Sequence, residues 1–367
     1  MRARDIAGVN GKDAPMKILI LANAQSVHFH RWLIALSAAG HEVHVATAEP
    51  RAIEGVTVHT LPRYRYQLLR LILSAGPLRR LVAKLKPDIV HAYYLLDYGF
   101  MAAFAGIKPL VVTAMGSDVL RGLDVSYRRR FLAGYACRRA DYVLTRAEHM
   151  NETVRRLGAG GPVEAVPNGI ETRVFAFGGA RNSVPRVLCT RAFRPVYNIM
   201  AFILAIAILK RSGKRADFIL VGDGTDRPEI EAAIEREGLE DCVTLVGALA
   251  HDALPAYYAS CDIYVSPSLS DGNSVSLMEA LAGGCYPVVS DIPANRAWIV
   301  NGENGKLFAP TDPQDLARKL GEAIDGIETF DEIRRMNRDK VVEQADFDSC
   351  LSKVLDVYGS VRAGRRT

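Results

Sequence analysis

The sequence lacks the features that define several protein classes. Its six cysteines are scattered, with no CxxC pair, which favours free thiols in a reducing compartment over a disulfide framework. No segment approaches the roughly 20 apolar residues of a membrane span, and the longest apolar run, Ile199 to Leu209, is typical of a core helix. Residues 1–15 contain no apolar signal region, so we expect a disordered extension on a cytoplasmic protein.

Other absences narrow the ligand chemistry. No glycine fingerprint follows the first predicted strand, Lys17–Ala22, which argues against a simple NAD dehydrogenase. The Asp-x-Asp pattern at Asp346 opens a predicted helix, where acids suit the helix dipole, so no metal site is expected. The net charge of +5 fits anionic ligands or an anionic surface. Basic residues interleaved with aromatics in a recognition motif are missing, so no nucleic-acid partner is expected.

What is present is a long alternation of predicted strands and helices. The alternation runs from Lys17 to Val166, is interrupted over 166–185, and starts again at Val187. A length of 367 residues accommodates two or three domains. Repeated βα units predict parallel sheets, so we expect two Rossmann-like domains with the ligand in the cleft between them.

One strand–loop–helix unit stands out in the second half. An apolar strand beginning at Ile263 leads into a polar loop with Asp271 and Gly272, and a helical pattern containing Glu279 follows and ends at Gly284. Ligands of parallel sheets bind at the strand carboxyl ends, and a helix start offers free N–H groups and a positive dipole end. The unit therefore predicts a site for an anionic nucleotide sugar.

Several motifs occur together in this half, in the order Val221-Gly-Asp-Gly-Thr225, Leu254-Pro-Ala-Tyr-Tyr258, Pro267-Ser, Glu279-Ala-Leu-Ala-Gly-Gly284, Pro287-Val-Val289 and Asn301-Gly-Glu-Asn-Gly305. In combination they resemble the GT4 family of retaining glycosyltransferases, which have the GT-B fold, and the match is densest over 187–325. The resemblance implies an α/β protein whose two Rossmann-like domains have parallel sheets facing a central cleft. Residues 16–170 plus 347–367 would form the acceptor-side domain, and 171–346 the nucleotide-sugar domain.

The resemblance also assigns the donor site. The family signature is two glutamates with seven residues between them; here Asp271 replaces the first, and Glu279 is the second. By resemblance, Glu279 holds the ribose hydroxyls, Asp271 a donor-sugar hydroxyl, and Arg191 the diphosphate. The usual lysine position is Tyr197, so Arg194 or the Tyr197 hydroxyl would substitute. Further donor-binding positions are Gly222, Asp223, Gly224, Ala248, Leu249, Gly272, Asn273, Ser274 and Val275.

The first domain departs more from the family pattern. Met115 stands where many members carry a histidine near the reacting sugar. Asp118 is the nearest polar residue, and it either takes over part of that catalytic role or caps the next segment. Asn23, Ser26 and His28 replace the usual glycine pair; they either contact phosphate or acceptor, or serve capping and packing.

The resemblance implies a hexosyltransferase-type, retaining and metal-independent enzyme that needs no cofactor. The donor would be a nucleotide-diphosphate sugar, UDP first and GDP next, and the acceptor a saccharide or a lipid-linked hydroxyl in glycan, glycolipid or polysaccharide synthesis. Two alternatives remain open. One is another GT-B enzyme, such as a sugar-nucleotide epimerase or a phosphorylase. The other is a catalytically silent sugar-binding subunit, suggested by Tyr197 and Met115.

Basic and apolar residues alternate in two segments of the first half. One contains Arg63, Arg65, Arg70, Arg79, Arg80, Lys84 and Lys86 with leucines between them; the other contains Arg128, Arg129, Arg130, Arg138 and Arg139 with Phe131 and Tyr135. Such segments either dock on an anionic membrane leaflet or are solvated helix faces with leucine in the core. The first alternative predicts peripheral binding at the inner face of the plasma membrane.

Overall fold

The structure, a computed structural model, describes residues 14–120, 122–123, 126–178 and 182–364, except for the side chains at positions 27, 28, 67 and 68. The expected disordered extension, residues 1–15, lies almost entirely outside this part. The chain divides into two compact units. The first unit runs up to Pro167 and includes the residues from Asp348 onward, and the second unit is Asn168–Phe347.

The first unit is built on a parallel sheet. Its strands are β1 (Lys17–Leu21), β2 (Glu42–Thr47), β3 (Thr57–Thr60), β4 (Ile89–Tyr93), β5 (Leu110–Ala114), β6 (Tyr142–Thr145) and β7 (Val163–Ala165). They lie in the order β3-β2-β1-β4-β5-β6-β7. The helices are α1 (Val27–Ala38), α2 (Gln67–Leu73), α3 (Ala75–Leu85), α4 (Phe100–Phe104), α5 (Tyr127–Arg139) and α6 (Asn151–Arg156). The strand order reverses at β1, so the loops after β1 and β4 lie at a topological switch point.

The second unit repeats the design. Its strands are β8 (Arg186–Cys189), β9 (Asp217–Val221), β10 (Val243–Gly247), β11 (Ile263–Ser266), β12 (Tyr286–Ser290) and β13 (Lys306–Phe308), in the order β10-β9-β8-β11-β12-β13. The helices are α7 (Ile199–Arg211), α8 (Arg227–Glu237), α9 (Leu254–Ser260), α10 (Val275–Ala282), α11 (Pro293–Arg296), α12 (Pro313–Asp325) and α13 (Asp331–Ala345). The switch point here lies between β8 and β11.

The cores explain why these segments form strands. Both faces of each parallel sheet are covered by helices, so central strands are apolar almost throughout. The residues of β4, β5, β11 and β12 are all buried. The prediction of two parallel α/β sheets is confirmed.

Two local features of the first unit interrupt its helices. The basic segment that contains Arg70, Arg79 and Lys84 forms two helices, α2 and α3, which meet at Ser74. After β4, a π-helical turn, Tyr94–Gly99, precedes α4. Neither feature leaves a periodicity signal, because apolar residues continue through both.

The final helix, α14 (Phe347–Gly364), supplies residues to the first unit's core. Its Tyr358 is fully buried, and the hydroxyl lies 2.6 Å from Nδ1 of His91 on β4. Nε2 of the same imidazole lies 2.6 Å from the Thr113 hydroxyl on β5. Burial, followed by the charge of Arg146, lowers the pKa of His91 well below its ordinary value, so the imidazole is neutral at physiological pH.

Candidate functional site

The candidate site of the second unit lies where β8 and β11 end. These strands are neighbours at the switch point, so the loops that follow them emerge side by side at the carboxyl edge of the sheet. The loop after β8 carries Arg191, and the loop after β11 carries Asp271 and leads into α10. Topology therefore brings together residues that are 80 positions apart in the chain.

Arg191 and Asp271 form a buried ion pair. Arg191 Nη2 donates to Asp271 Oδ2 over 2.7 Å, and Nη1 donates to the Ser276 hydroxyl over 2.7 Å. The two side chains keep only 9% and 18% of their surface exposed. Burial disfavours the charged guanidinium, but the charge of Asp271, the nearby Tyr264 and Tyr197 and the hydrogen bond to Asp271 together outweigh burial, so the pKa of Arg191 is raised above its ordinary value. Arg191 Nε is buried with no partner among the described residues.

Tyr197 covers the guanidinium with its ring. The centre of the Arg191 guanidinium lies 4.2 Å from the Tyr197 ring centroid, a cation–π distance. Arg194, the other expected substitute for the missing lysine, is exposed. The Tyr197 ring thus packs on the guanidinium at the position where the sequence suggested either Arg194 or the Tyr197 hydroxyl as a substitute for the lysine.

Glu279 is held through both carboxylate oxygens. The side chain is buried; Oε1 accepts from His251 Nε2 at 2.7 Å and Oε2 accepts from the Tyr258 hydroxyl at 3.0 Å. Tyr258 is itself fully buried, and burial followed by the Glu279 charge raises its pKa well above the ordinary value. The sequence interpretation missed His251 as a partner of Glu279. Its position in the loop after β10, next to the predicted Ala248 and Leu249, is the signal that was available.

Gly222 and Gly224 pack directly against the backbone of the loop that carries Arg191. A Cβ at Gly222 would overlap the Arg191 carbonyl oxygen, and one at Gly224 would overlap the Phe193 carbonyl oxygen. The Phe193 N–H donates to the Asp223 carbonyl over 3.0 Å. This turn therefore fixes the backbone that carries Arg191, and only glycine permits the close approach.

The start of α10 is organised by Ser274. Its hydroxyl donates to Asn295 Oδ1 at 2.7 Å and lies 3.3 Å from Asp271 Oδ2, while Asn273 is buried beside it. The loop Gly272–Val275 thus leads from the ion pair into the helix N-terminus, as the sequence predicts. Ala248 is exposed and Leu249 half-buried at the end of β10.

In the first unit, the Asp118 carboxylate accepts hydrogen bonds from backbone N–H groups. Its Oδ1 accepts from the N–H groups of Met115 and Gly116, both at 2.9 Å, and its Oδ2 accepts from Leu95 N at 2.9 Å. The side chain is buried, and burial raises its pKa although these hydrogen bonds oppose the shift. Asp118 therefore ties the loop after β5 to the turn after β4.

The residues of the first loop lie around the start of α1. Asn23 donates to Glu49 Oε2 at 2.6 Å and accepts from Gln25 N at 2.8 Å. Ser26 precedes α1, with no side-chain cap hydrogen bond. His28 is in α1, but its side chain lies outside the described part of the structure.

The described residues contain neither a metal-binding cluster nor a membrane-spanning helix. No group of three or more His, Cys, Asp or Glu side chains there is arranged to hold a metal ion. Within the same residues, none of the helices combines the length and apolarity needed to cross a bilayer.

Two protein-family profiles match the chain. The profile of the "Glycosyl transferases group 1" matches residues 172–339, and the profile "Glycosyl transferase 4-like" matches residues 17–147. Among relatives in sequence, the glycogen synthase of Mycobacterium tuberculosis is 23% identical over 378 residues, covering 92% of this chain and 91% of that protein.

Solved structures share the fold. Sucrose-phosphate synthase from Thermosynechococcus elongatus superposes with a TM-score of 0.79 at 18% identity, covering 95% of this chain and 99% of that chain. HepE of Anabaena, solved in complex with UDP and glucose, superposes with a TM-score of 0.78 at 19% identity, covering 94% and 100%. Because the sequence identity is below 25% in both cases, these similarities show a shared fold alone.

Proposed function

This chain belongs to the GT4 family of GT-B glycosyltransferases, and we propose that it transfers a sugar with retention, without a metal, from UDP-sugar to an acceptor hydroxyl. The observation that supports this most is the set of contacts around α10. A buried arginine whose Nε has no partner in the described part of the chain, an acid beside it and a second acid held by two donors lie at the carboxyl edge of one sheet.

Each donor group has a proposed partner. Glu279 accepts hydrogen bonds from the ribose hydroxyls, with Tyr258 and His251 fixing its rotamer. Arg191 donates from Nε to the diphosphate, and the N-terminus of α10 adds N–H groups at Gly272–Val275. Asp271 accepts from a sugar hydroxyl. The remaining contacts come from Gly222, Asp223, Gly224, Ala248, Leu249, Asn273, Ser274, Arg194 and Tyr197.

We propose a front-face displacement. The bond between the sugar C1 and the phosphate oxygen breaks, the acceptor oxygen bonds to C1 on the same face, and the acceptor proton passes to the departing phosphate. The buried guanidinium and the helix dipole stabilise the charge that develops on the phosphate, which is why no metal is required. A UDP donor is favoured over GDP by the UDP complex of the structurally similar HepE.

In the first unit, we propose that Asn23, Ser26 and His28 contact the acceptor or phosphate. Asp118 acts through the loop it holds, because both of its oxygens already accept backbone N–H groups. Asp118 therefore contributes to catalysis by positioning the loop after β5 and the turn after β4.

The test is release of nucleoside diphosphate from UDP-, GDP- and ADP-sugars, with product anomers assigned by NMR and EDTA added in parallel. Glu279→Gln is expected to weaken UDP binding at least tenfold. Glu322→Gln, which removes a carboxylate paired with Lys306 on the surface, is the matched control. Failure of the wild type to bind any donor, or equal binding by Glu279→Gln, would contradict the proposal.

The alternatives are separated by their products. An epimerase converts the donor with no acceptor present, and a phosphorylase requires inorganic phosphate as a reactant. A silent subunit would bind donor without turnover, and Tyr197→Lys would restore activity if the missing cation were the cause.

Peripheral binding to an anionic leaflet is a further part of the proposal. Leu69, Ile72 and Leu73 of α2 are each nearly half exposed, next to the exposed Arg63 and Arg65. Phe131 on α5 is 48% exposed, with Tyr127 beside it 86% exposed. Cosedimentation with phosphatidylglycerol vesicles should decrease in a Leu69→Ser/Ile72→Ser variant and in high salt. Equal sedimentation with neutral phosphatidylcholine vesicles would refute the electrostatic part.

A further inference from the structure

Two hydrogen-bonded links join the loop after β8 to helix α10. Thr190 and Arg191 are neighbours in that loop, and Ser276 and Glu279 lie one turn apart on α10, which places them on the same face of the helix. In the first link, Arg191 Nη1 donates to the Ser276 hydroxyl over 2.7 Å. The two segments that carry the proposed phosphate and ribose contacts are therefore tied together at this point.

The second link passes through Tyr258 on α9. Its hydroxyl lies 2.8 Å from the Thr190 hydroxyl and donates to Glu279 Oε2 over 3.0 Å. Because an ionised carboxylate only accepts, the single Tyr258 proton is directed at Glu279, and the Thr190 hydroxyl donates to the Tyr258 oxygen. Thr190 thus acts on Glu279 through one intervening side chain.

Tyr264 on β11 supports the first link. Its hydroxyl donates to Ser276 over 2.8 Å. Burial raises the pKa of Tyr264 to about 12 although the Arg191 charge opposes the shift, so this hydroxyl keeps its proton at physiological pH. The rings of Tyr264 and Tyr258 lie 6.1 Å apart between their centroids, and the two links are therefore packed against each other.

These contacts close a ring of connected groups. The ring runs from Arg191 through Ser276 and along α10 to Glu279, then through Tyr258 and Thr190 back to Arg191. The side chains of Arg191, Tyr258 and Glu279 are buried, and hydrogen bonds in such surroundings are stronger than in water and polarise one another. A ligand that fixes one of the two charged groups therefore restricts the other as well.

We propose that this ring makes the second unit recognise the ribose and the diphosphate of the donor cooperatively, with Thr190, Ser276 and Tyr264 as positioning residues. Each of the three acts through Arg191 or Glu279 and makes no contact with the donor itself. The cooperativity rests on the donor site proposed above and adds a coupling between its two halves. Because coupling is reciprocal, the terminal phosphate strengthens the ribose contact by the same factor as the ribose strengthens the phosphate contact.

Isothermal titration calorimetry of the full chain with UDP, 2′-deoxy-UDP and UMP tests the coupling. The preference for UDP over 2′-deoxy-UDP reports the ribose contact, and the preference for UDP over UMP reports the contact with the terminal phosphate. Ser276→Ala breaks the first link beside Arg191, yet it should reduce the preference at the ribose by about fivefold. Thr190→Val breaks the second link, which leads to Glu279, and it should reduce the preference at the phosphate by about the same factor.

Matched variants separate this effect from general damage. Thr190→Ser keeps the hydroxyl and should retain the wild-type preferences. Tyr286→Phe removes the hydroxyl of another buried tyrosine of the same sheet, whose pKa burial also raises to about 12. Because Tyr286 begins β12 at the opposite edge of the sheet, all three affinities should stay within about twofold. If Ser276→Ala does not fold, Tyr264→Phe removes the donor to Ser276 and should lower the ribose preference in the same direction.

The outcomes separate the cooperativity from the proposed function. Equal weakening of UDP and 2′-deoxy-UDP in Ser276→Ala or Tyr264→Phe, or of UDP and UMP in Thr190→Val, would overturn the coupling and leave the donor site standing. Loss of the preference in Thr190→Ser as well would assign the effect to packing and would also overturn it. A wild type that binds none of the three nucleotides would refute the donor site, and the cooperativity with it.

Discussion

Replacing Asp271 by Asn should destabilise the second unit, because it leaves the buried Arg191 without its carboxylate. Only 9% of the arginine side chain and 18% of the aspartate side chain are exposed, so solvent screens the remaining charge poorly. Removing one partner of a buried pair costs about 3–5 kcal/mol. Since the asparagine oxygen can still accept one hydrogen bond, we expect about 3 kcal/mol for Asp271→Asn.

The double variant should cost less than the two single variants together. Arg191→Met leaves the Asp271 carboxylate without its partner and should lower the free energy of unfolding by a similar amount. Replacing both residues removes the ion pair and places an apolar chain beside the Tyr197 ring, which is often close to neutral for buried pairs. With a double variant close to neutral, the expected coupling energy approaches the sum of the two single costs, about 6 kcal/mol.

Tryptophan fluorescence makes this measurable for the second unit alone. The chain has two tryptophans; Trp32 is buried in the first unit and Trp298 in the second. Urea titration in a Trp32→Phe background would follow Trp298 only, which avoids treating a two-unit protein as one transition.

The surface pair of Arg296 and Asp291 serves as the control. Its side chains are 59% and 36% exposed, so Asp291→Asn should cost less than about 1 kcal/mol. Additivity of the Asp271 and Arg191 variants within about 0.5 kcal/mol would show that the pair is not coupled in the folded protein, and the electrostatic reasoning would fail.

Three further predictions follow from contacts outside that pair. In Gly224→Ala, the added Cβ would overlap a carbonyl oxygen of the loop after β8. We expect the free energy of unfolding, measured by urea titration, to fall by about 1–3 kcal/mol, and UDP binding to weaken. Burial and the Arg146 charge hold the pKa of His91 in the folded protein well below 6.5, its ordinary value. Between the folded-state pKa and the ordinary value expected in the unfolded chain, the imidazole is therefore protonated only in the unfolded chain. The free energy of unfolding of the first unit should then fall below pH 6.5 by up to about 1.4 kcal/mol per pH unit, a slope absent from His91→Gln. Tyr258→Phe removes one donor to Glu279, and calorimetry should show about tenfold weaker UDP binding in a protein that still folds.

The sequence is sufficient to predict the two parallel sheets. Each βα unit repeats a short apolar run, a polar loop and a helical pattern, and parallel sheets follow from that repetition. The loop at Asp271 and the arginine after β8 are also predictable, because the carboxyl ends of neighbouring strands carry the ligand groups.

The pairing within the site is less accessible to sequence reasoning. Whether Asp271 faces solvent or Arg191, and whether Tyr197 offers its hydroxyl or its ring, depends on side-chain torsions set by packing. His251 was missed for the same reason: its contact with Glu279 spans 28 positions. The φ of +67° at Tyr94 leaves no composition signal either, since glycine is the usual marker of a positive φ.

The position of α14 has a consequence for synthesis on the ribosome. The first unit needs Tyr358 in its core, but that residue is translated after the whole of Asn168–Phe347. We therefore expect the core of the amino-terminal unit to be completed only after the second unit, whose residues are contiguous, has been synthesised. Domains generally fold in the order of translation, and we expect this chain to complete its two units in the reverse order. A premature stop after Phe347 would consequently damage the part of the protein that was made first.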